Sequence, residues 1–422
     1  MAGFNWNEIN PEGFMFSLTN QERRYFALDP IPQNAQTITF TKSEGTLHTR
    51  VTVFFEGNFI IKVINETIGG TGDTIWMRCY EESDTRLLTD QRQMLLPLTS
   101  RGKPKKLTAS SINAVTPFGC TLHIEIRNNS LFSSSEIYLL NQRSSKRFSL
   151  GERNIIDNIR SEEDFRSFLA HYIATCREGY FDKLRTFRTA QKVTVKYKPG
   201  DIFRMDFDRT RYCYGIITGD LKQLKSMAEL PKSHSFLHLM TVPIMVRLFR
   251  IITDDPGLTP ADLDGIPMDP AIICSDNDII WGNHPIIGHK TLTPDDLYFK
   301  LNCTLQTHYS GRFTLEGCSM TIEWGFSSVT LNYDQISDNL KGQLDRFPLH
   351  PGSVHTNIDP CYASADNPPD WADDRHDLLN PKNSELRAEV FACLGLNADT
   401  TFDRFAEKFG GLTRQEIVSR MK

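Results

Sequence analysis

The 422-residue chain has few of the features that announce a familiar active site. It contains no GxxxxGK[ST], HExxH or GxSxG stretch and no compact Cys/His zinc pattern, so phosphate-cradling, zinc-peptidase and nucleophile-elbow chemistries have no local support. A site assembled from distant residues would escape such a search. No apolar run reaches the roughly 20 residues that a membrane-spanning helix needs. The opening residues, MAGFNWNEINPEGFMF, show neither the basic leader nor the apolar centre of a secretory signal. The expectation is a soluble, cytoplasmic chain that does not engage membranes.

Charge is also unremarkable in total. The formal net charge of −5 carries no basic excess, which argues against direct nucleic-acid binding. Nine cysteines stand singly at Cys79, Cys120, Cys176, Cys213, Cys274, Cys303, Cys318, Cys361 and Cys393. Their odd number and wide spacing fit unpaired thiols in a reducing compartment rather than a disulfide framework. What the chain does have is apolar mass: 39% hydrophobic residues, with 27 Phe, suffice for substantial cores in two or three domains.

From about Gln36 to Leu150, short β-favouring pieces alternate with turn residues. LHTRVTVFFEGNFIIKV predicts a hairpin around Glu56-Gly57-Asn58, and IWMRCY, TLHIEI and EIYLL continue the pattern. This region is expected to be an antiparallel sandwich or a barrel-like domain. At Ser161-Glu162-Glu163-Asp164 the period changes, and Phe165, Phe168, Leu169, Tyr172 and Ile173 fall on one helical face behind an acidic first turn. A helix bracing two β domains is predicted there, with a break at Gly179.

A second β module begins near Val193. Its KYKPGDIFRMDFDRTRYCYGIITGD segment carries a Pro199-Gly200 turn, and Ile202, Phe203, Met205 and Phe207 are candidate core groups. Asp201 can accept backbone hydrogen bonds at the turn, and Gly215 in the YCYGII strand permits close backbone approach. LTPADL and LTPDDL share a proline-led, acidic helix start. FTLEG, MTIEW and SVTLNY supply further strands. Asp359 to Asn380 is read as an irregular connector, followed by three short helices at Ser384–Leu394, Thr401–Phe409 and Leu412–Met421.

The expected fold class is mainly β, with a helical linker and C-terminal helices. The expected division is residues 1–158 as an N-terminal β-rich domain, 159–190 as the helical linker, 191–358 as a compact β-rich module best supported over 191–301, and 359–422 as connector and helical region.

Chemistry is sparse. His234 and His238 would share a helical face, but they offer only two ligands and local packing explains them more simply. His284 and His289 lie in a Gly/Pro-containing segment where shape is the simpler role. Asp254, Asp255, Asp262, Asp264, Asp269, Asp276 and Asp278 fall in an interval without Lys or Arg. On one face they would present a negative field to a basic protein surface; the competing explanation is acid-rich turns that serve solubility. Trp281 suits a packed junction or an interface anchor equally well. No catalytic residue, metal ligand set or cofactor is assigned.

PGDIFRMDFDRTRYCYGII, VPIMVRLFRI, LTPADLDGIPMDPAII and WGNHPIIGHKTLTPDDLYF, in that order, resemble the bacterial polymorphic-toxin immunity family called immunity protein 26. The resemblance spans about Val193 to Leu301, and Gly200, Asp201, Tyr214, Gly215, Gly288 and His289 resemble recurrent positions of its pattern. It implies a compact β-rich module that binds a cognate bacterial toxin and prevents self-intoxication. The partner would then be a protein toxin, with a basic surface if the acids meet it. A multidomain protein-, peptide- or carbohydrate-binding module is the alternative expectation, and a hydrolytic enzyme using Asp201 and His289 is a third.

Overall fold

The computed structural model describes residues 17–71, 74–87, 93–103, 105, 108, 118–128, 133–150, 156, 158–176, 178–239, 243–307, 318–348, 358 and 377–421. Cys361 and positions 359–376 of the expected connector lie outside them. The chain divides into two compact units, Met1–Thr194 with Asp208–Thr210, and Val195–Phe207 with Arg211–Lys422.

In the first unit, eight antiparallel strands form one sheet: β1 (Gln36–Glu44), β2 (Leu47–Glu56), β3 (Phe59–Thr71), β4 (Thr74–Asp84), β5 (Met94–Leu95), β6 (Cys120–Asn128), β7 (Ser133–Asn141) and β8 (Lys146–Ser149). Their order is β1-β2-β3-β4-β6-β7-β8, with β5 beside β3. The β2–β3 hairpin closes at Glu56 opposite Phe59, and Gly57 takes the left-handed φ of 55° that such a two-residue turn requires. Leu122, Ile124, Ile126, Ile137, Leu139 and Tyr80 face one side of the sheet. Across from them lie Phe165, Phe168, Leu169 and Tyr172 of the helix Glu162–Ala174, and Tyr180, Leu184 and Phe187 of the helix Tyr180–Thr189.

The expected sandwich or barrel-like domain is therefore corrected to an open sheet backed by helices, and the class from mainly β to mixed α/β. Among the described residues no strand pairing closes a barrel. The helices supply the apolar layer that a second sheet would otherwise provide. The first of them starts as its sequence suggests, with the Ser161 hydroxyl accepting the Asp164 amide and three acids in the first turn.

A fully satisfied charge network is also buried in this unit. Lys62 Nζ reaches Asp84 at 2.6 Å and Glu82 at 2.7 Å. Arg23 forks onto Glu82 at 2.7 and 3.2 Å, and the Tyr80 hydroxyl donates to the same carboxylate at 2.5 Å. The Asp29 amide donates to Asp84 at 2.9 Å. Burial opposes charge on Lys62, but the two carboxylates outweigh it and hold its pKa above the ordinary value.

In the second unit, β9 (Asp201–Asp206), β10 (Tyr212–Asp220), β11 (Pro243–Leu248), β12 (Ile272–Ser275) and β13 (Ile286–His289) form a five-stranded antiparallel sheet of order β12-β11-β10-β9-β13. Three more strands, β14 (Leu301–Thr307), β15 (Cys318–Trp324) and β16 (Ser327–Asn332), make a second sheet. The unbroken apolar character of YCYGII has a structural reason: β10 is covered on both faces. Tyr212, Tyr214 and Ile216 enter the larger core, while Cys213 and Ile217 enter a smaller one with Phe203, Met205 and Val246. The C-terminal helices Ser384–Cys393, Phe402–Phe409 and Arg414–Met421 join the larger core, where Trp324 packs against Phe391, Phe402 and Phe405.

Candidate functional site

The turn at Pro199-Gly200-Asp201 is built by its own residues and locked by β13. Gly200 sits at φ 94°, and its amide donates to Ile217 O at 2.7 Å. Lys290 N donates to Gly200 O at 2.8 Å, bringing the two chains so close that a Cβ on Gly200 would lie 2.3 Å from Lys290 O. Asp201 spends both oxygens locally: one accepts the Lys198 amide at 2.9 Å, and the other meets His289 Nδ1 at 2.9 Å. Strand register already places His289 opposite Asp201. This His–Asp pair therefore fastens β13 to β9, with the imidazole exposed and the carboxylate buried.

Two of the remaining signature positions, Tyr214 and Gly288, hold one acidic segment in place. Tyr214, fully buried, donates its hydroxyl to Asp255 O at 2.7 Å. Arg204 donates to Pro256 O at 2.6 Å. Gly288 lets Pro260 lie against the backbone, where a Cβ would come within 2.4 Å of the proline ring. Gly215 gives the same freedom to Phe203 and Leu248. Three anchors thus fix residues 255–260 onto the five-stranded sheet; the exposed side chains of Asp255, within that segment, and of Asp254, Asp262 and Asp264, flanking it, are displayed there. Two of them also shape it. Asp255 accepts the Gly257 amide at 2.7 Å, and Asp262 accepts the amide and hydroxyl of Thr259, which hold its carboxyl below the usual range.

The other acids of the interval turn inward. Asp269 is buried against Arg250 at 2.7 Å, yet burial outweighs the arginine and raises its pKa. Asp276 accepts the Tyr197 hydroxyl at 2.9 Å; burial and this carboxylate push the phenol's pKa up. Asp278 is buried and accepts Asn283 Nδ2 at 2.9 Å. His284 stacks on Phe203, and burial lowers its pKa. Trp281 is half-buried at the end of the short helix Asn277–Ile280. His234 caps the helix Ser235–His238 from outside it, accepting the Phe236 amide, while His238 bonds Lys232 O at 3.0 Å.

Sequence reasoning missed the cations. The interval has no Lys or Arg of its own, but β9 brings Arg204 to it, and β11 and the residues just after it bring Arg247 and Arg250. Arg247 donates to the carbonyls of Met268, Asp269, Asp295 and Asp296. The alternation of Arg247 and Arg250 with apolar neighbours in IMVRLFR was the available signal. These contacts leave the segment from Asp254 to Asp264 as the part of the interval whose carboxylates are exposed.

No curated protein and no solved structure matches the chain. The sequence model of the family described as immunity protein 26 matches residues 198–311, which contain the locked turn, the five-stranded sheet and the anchored acidic segment. The chain thus carries a central immunity protein 26-like domain.

Proposed function

We propose that this chain is a cytoplasmic, non-catalytic immunity protein that binds a cognate bacterial toxin and neutralises it, with residues 254–264 meeting a basic surface of the toxin. The observation that carries this reading is the use made of the signature positions. Within the segment that matches the family, Gly200, Asp201, Gly215 and His289 set the sheet, while Tyr214 and Gly288 hold a loop that displays four carboxylates. A loop fixed at three points loses little conformational entropy on binding, and exposed charges of one sign steer an oppositely charged partner.

Charge reversal tests it selectively. Asp254→Lys with Asp264→Lys leaves the turn bonds of Asp255 and Asp262 intact. In titration calorimetry with the toxin domain encoded by the neighbouring gene, the double variant is expected to bind about 10–100-fold more weakly. Most of the loss should lie in the association rate and shrink as salt is raised. Unchanged affinity at low salt would exclude this segment as the interface.

A further inference from the structure

The far side of the first unit's sheet gathers a second set of reactive side chains, unrelated to the immunity-like domain. On β4 and β6, Tyr80, Leu122, Ile124 and Ile126 enter the helix-covered core, so residues 79, 81, 123 and 125 point to the opposite face. Register sets Cys79 opposite Glu125 and Glu81 opposite His123, giving a two-by-two square of donors on neighbouring strands. Cys79 Sγ lies 3.9 Å from His123 Nδ1. Glu81 lies 3.2 Å from the same nitrogen, and Glu125 3.7 Å from Nε2. One ligand atom each from Cys79, His123 and Glu125 falls within 4.8 Å of the others.

We infer that Cys79, His123 and Glu125 form a binding site for a single zinc ion, with Glu81 as the carboxylate that orients the imidazole. Three observations support it. The donor set is one thiol, one imidazole and one carboxylate, a mixture that suits borderline-soft Zn2+ and disfavours Mg2+ or Ca2+. The donors sit on adjacent, hydrogen-bonded strands rather than on loops, so little backbone rearrangement is needed to close on an ion. The ring of His123 is already held: Tyr138 stacks on it at 4.7 Å between centroids, and Arg147 covers Tyr138 at 3.9 Å. With Glu81 on Nδ1, zinc would take Nε2 beside Glu125, and the Cys79 side chain, which lies nearer Nδ1, would have to shift toward the ion; a carboxylate on a ligand histidine's other nitrogen is the usual way of fixing ring orientation.

Coordination replaces the S–H bond of Cys79 with an S–Zn bond and releases the proton to solvent. Arg127 contacts Glu125 and would have to yield that carboxylate to the metal. The rival for the same geometry is a metal-free bridge in which a protonated His123 ties Glu81 to Glu125.

The two are separated with the full-length chain, reduced and stripped of metal, titrated with zinc chloride. Zinc is expected to bind at one ion per chain and to slow alkylation of Cys79, read at that residue by mass spectrometry, by at least about tenfold. Cys79→Ser should weaken zinc binding by about 100-fold or more, and Glu81→Gln by about 10–100-fold. Co2+ in place of zinc should give a thiolate charge-transfer band that Cys79→Ser abolishes. The alkylation arm needs no variant and stands even if a substitution unfolds the sheet. Failure to take up one zinc, unprotected Cys79, or zinc affinity indifferent to Cys79→Ser would each overturn the site in favour of the metal-free bridge.

Discussion

Gly200→Ala is expected to destabilise the second unit by about 2–5 kcal/mol. An L-residue at left-handed φ costs about 1–2 kcal/mol, and overpacking a filled site adds about 1–3 kcal/mol. Both terms apply here, because φ is 94° and the new methyl would sit 2.3 Å from a backbone carbonyl, that of Lys290, which cannot swing away as a side-chain tip could. Relief requires parting β13 from β9, which stretches the Lys290 N to Gly200 O bond and the Asp201–His289 contact together. Urea unfolding followed by Trp fluorescence should show a lowered midpoint with little change in slope. Asp201→Asn, which keeps an acceptor for the Lys198 amide, should cost less. A Gly200→Ala variant as stable as the parent would show that the turn does not require glycine.

Lys62→Met carries the other large effect, about 3–5 kcal/mol, in the first unit. The side chain fits, but its removal strips Asp84 and Glu82 of the ammonium that lies 2.6 and 2.7 Å from them. Glu82 retains Arg23 and Tyr80, whereas among the described residues Asp84 keeps the Asp29 amide as its hydrogen bond and, beyond ion-pair distance, the charge of Arg188. Burial already holds the Asp84 carboxyl up at about 6 against the pull of Lys62, so losing that pull drives it toward the neutral acid. Adding Asp84→Asn removes the stranded charge and should return about 0.5–3 kcal/mol, measured as the coupling in a double-mutant cycle. Strictly additive losses would mean that the two groups do not act as a pair.

The sequence made local features readable and left the long-range ones hidden. The acidic start at Ser161, the Glu56-Gly57-Asn58 hairpin and the turn before Asp201 depend on residues within a few positions of one another, and periodicity or turn chemistry reveals them. The helices after Ser161 were visible as helices, but nothing in their spacing says that their apolar face covers the first sheet and replaces a second one. The acid interval shows the same limit. Its seven aspartates look alike in sequence, yet Arg250 takes Asp269 from just after β11, Tyr197 takes Asp276 from before β9, and Asn283 takes Asp278. Cys79 and His123 stand far apart in the chain, and only strand register brings them together. The C-terminal helices were legible by spacing and caps, but their insertion beside Trp324 was not.

The most direct measurement is survival of cells that express the toxin domain of the neighbouring gene, with and without the full-length chain, together with copurification of the two proteins. Protection and a stable complex are expected from the parent chain, and both should weaken with Asp254→Lys and Asp264→Lys. Neither protection nor a complex with that toxin, from a chain shown to be folded, would contradict toxin neutralisation.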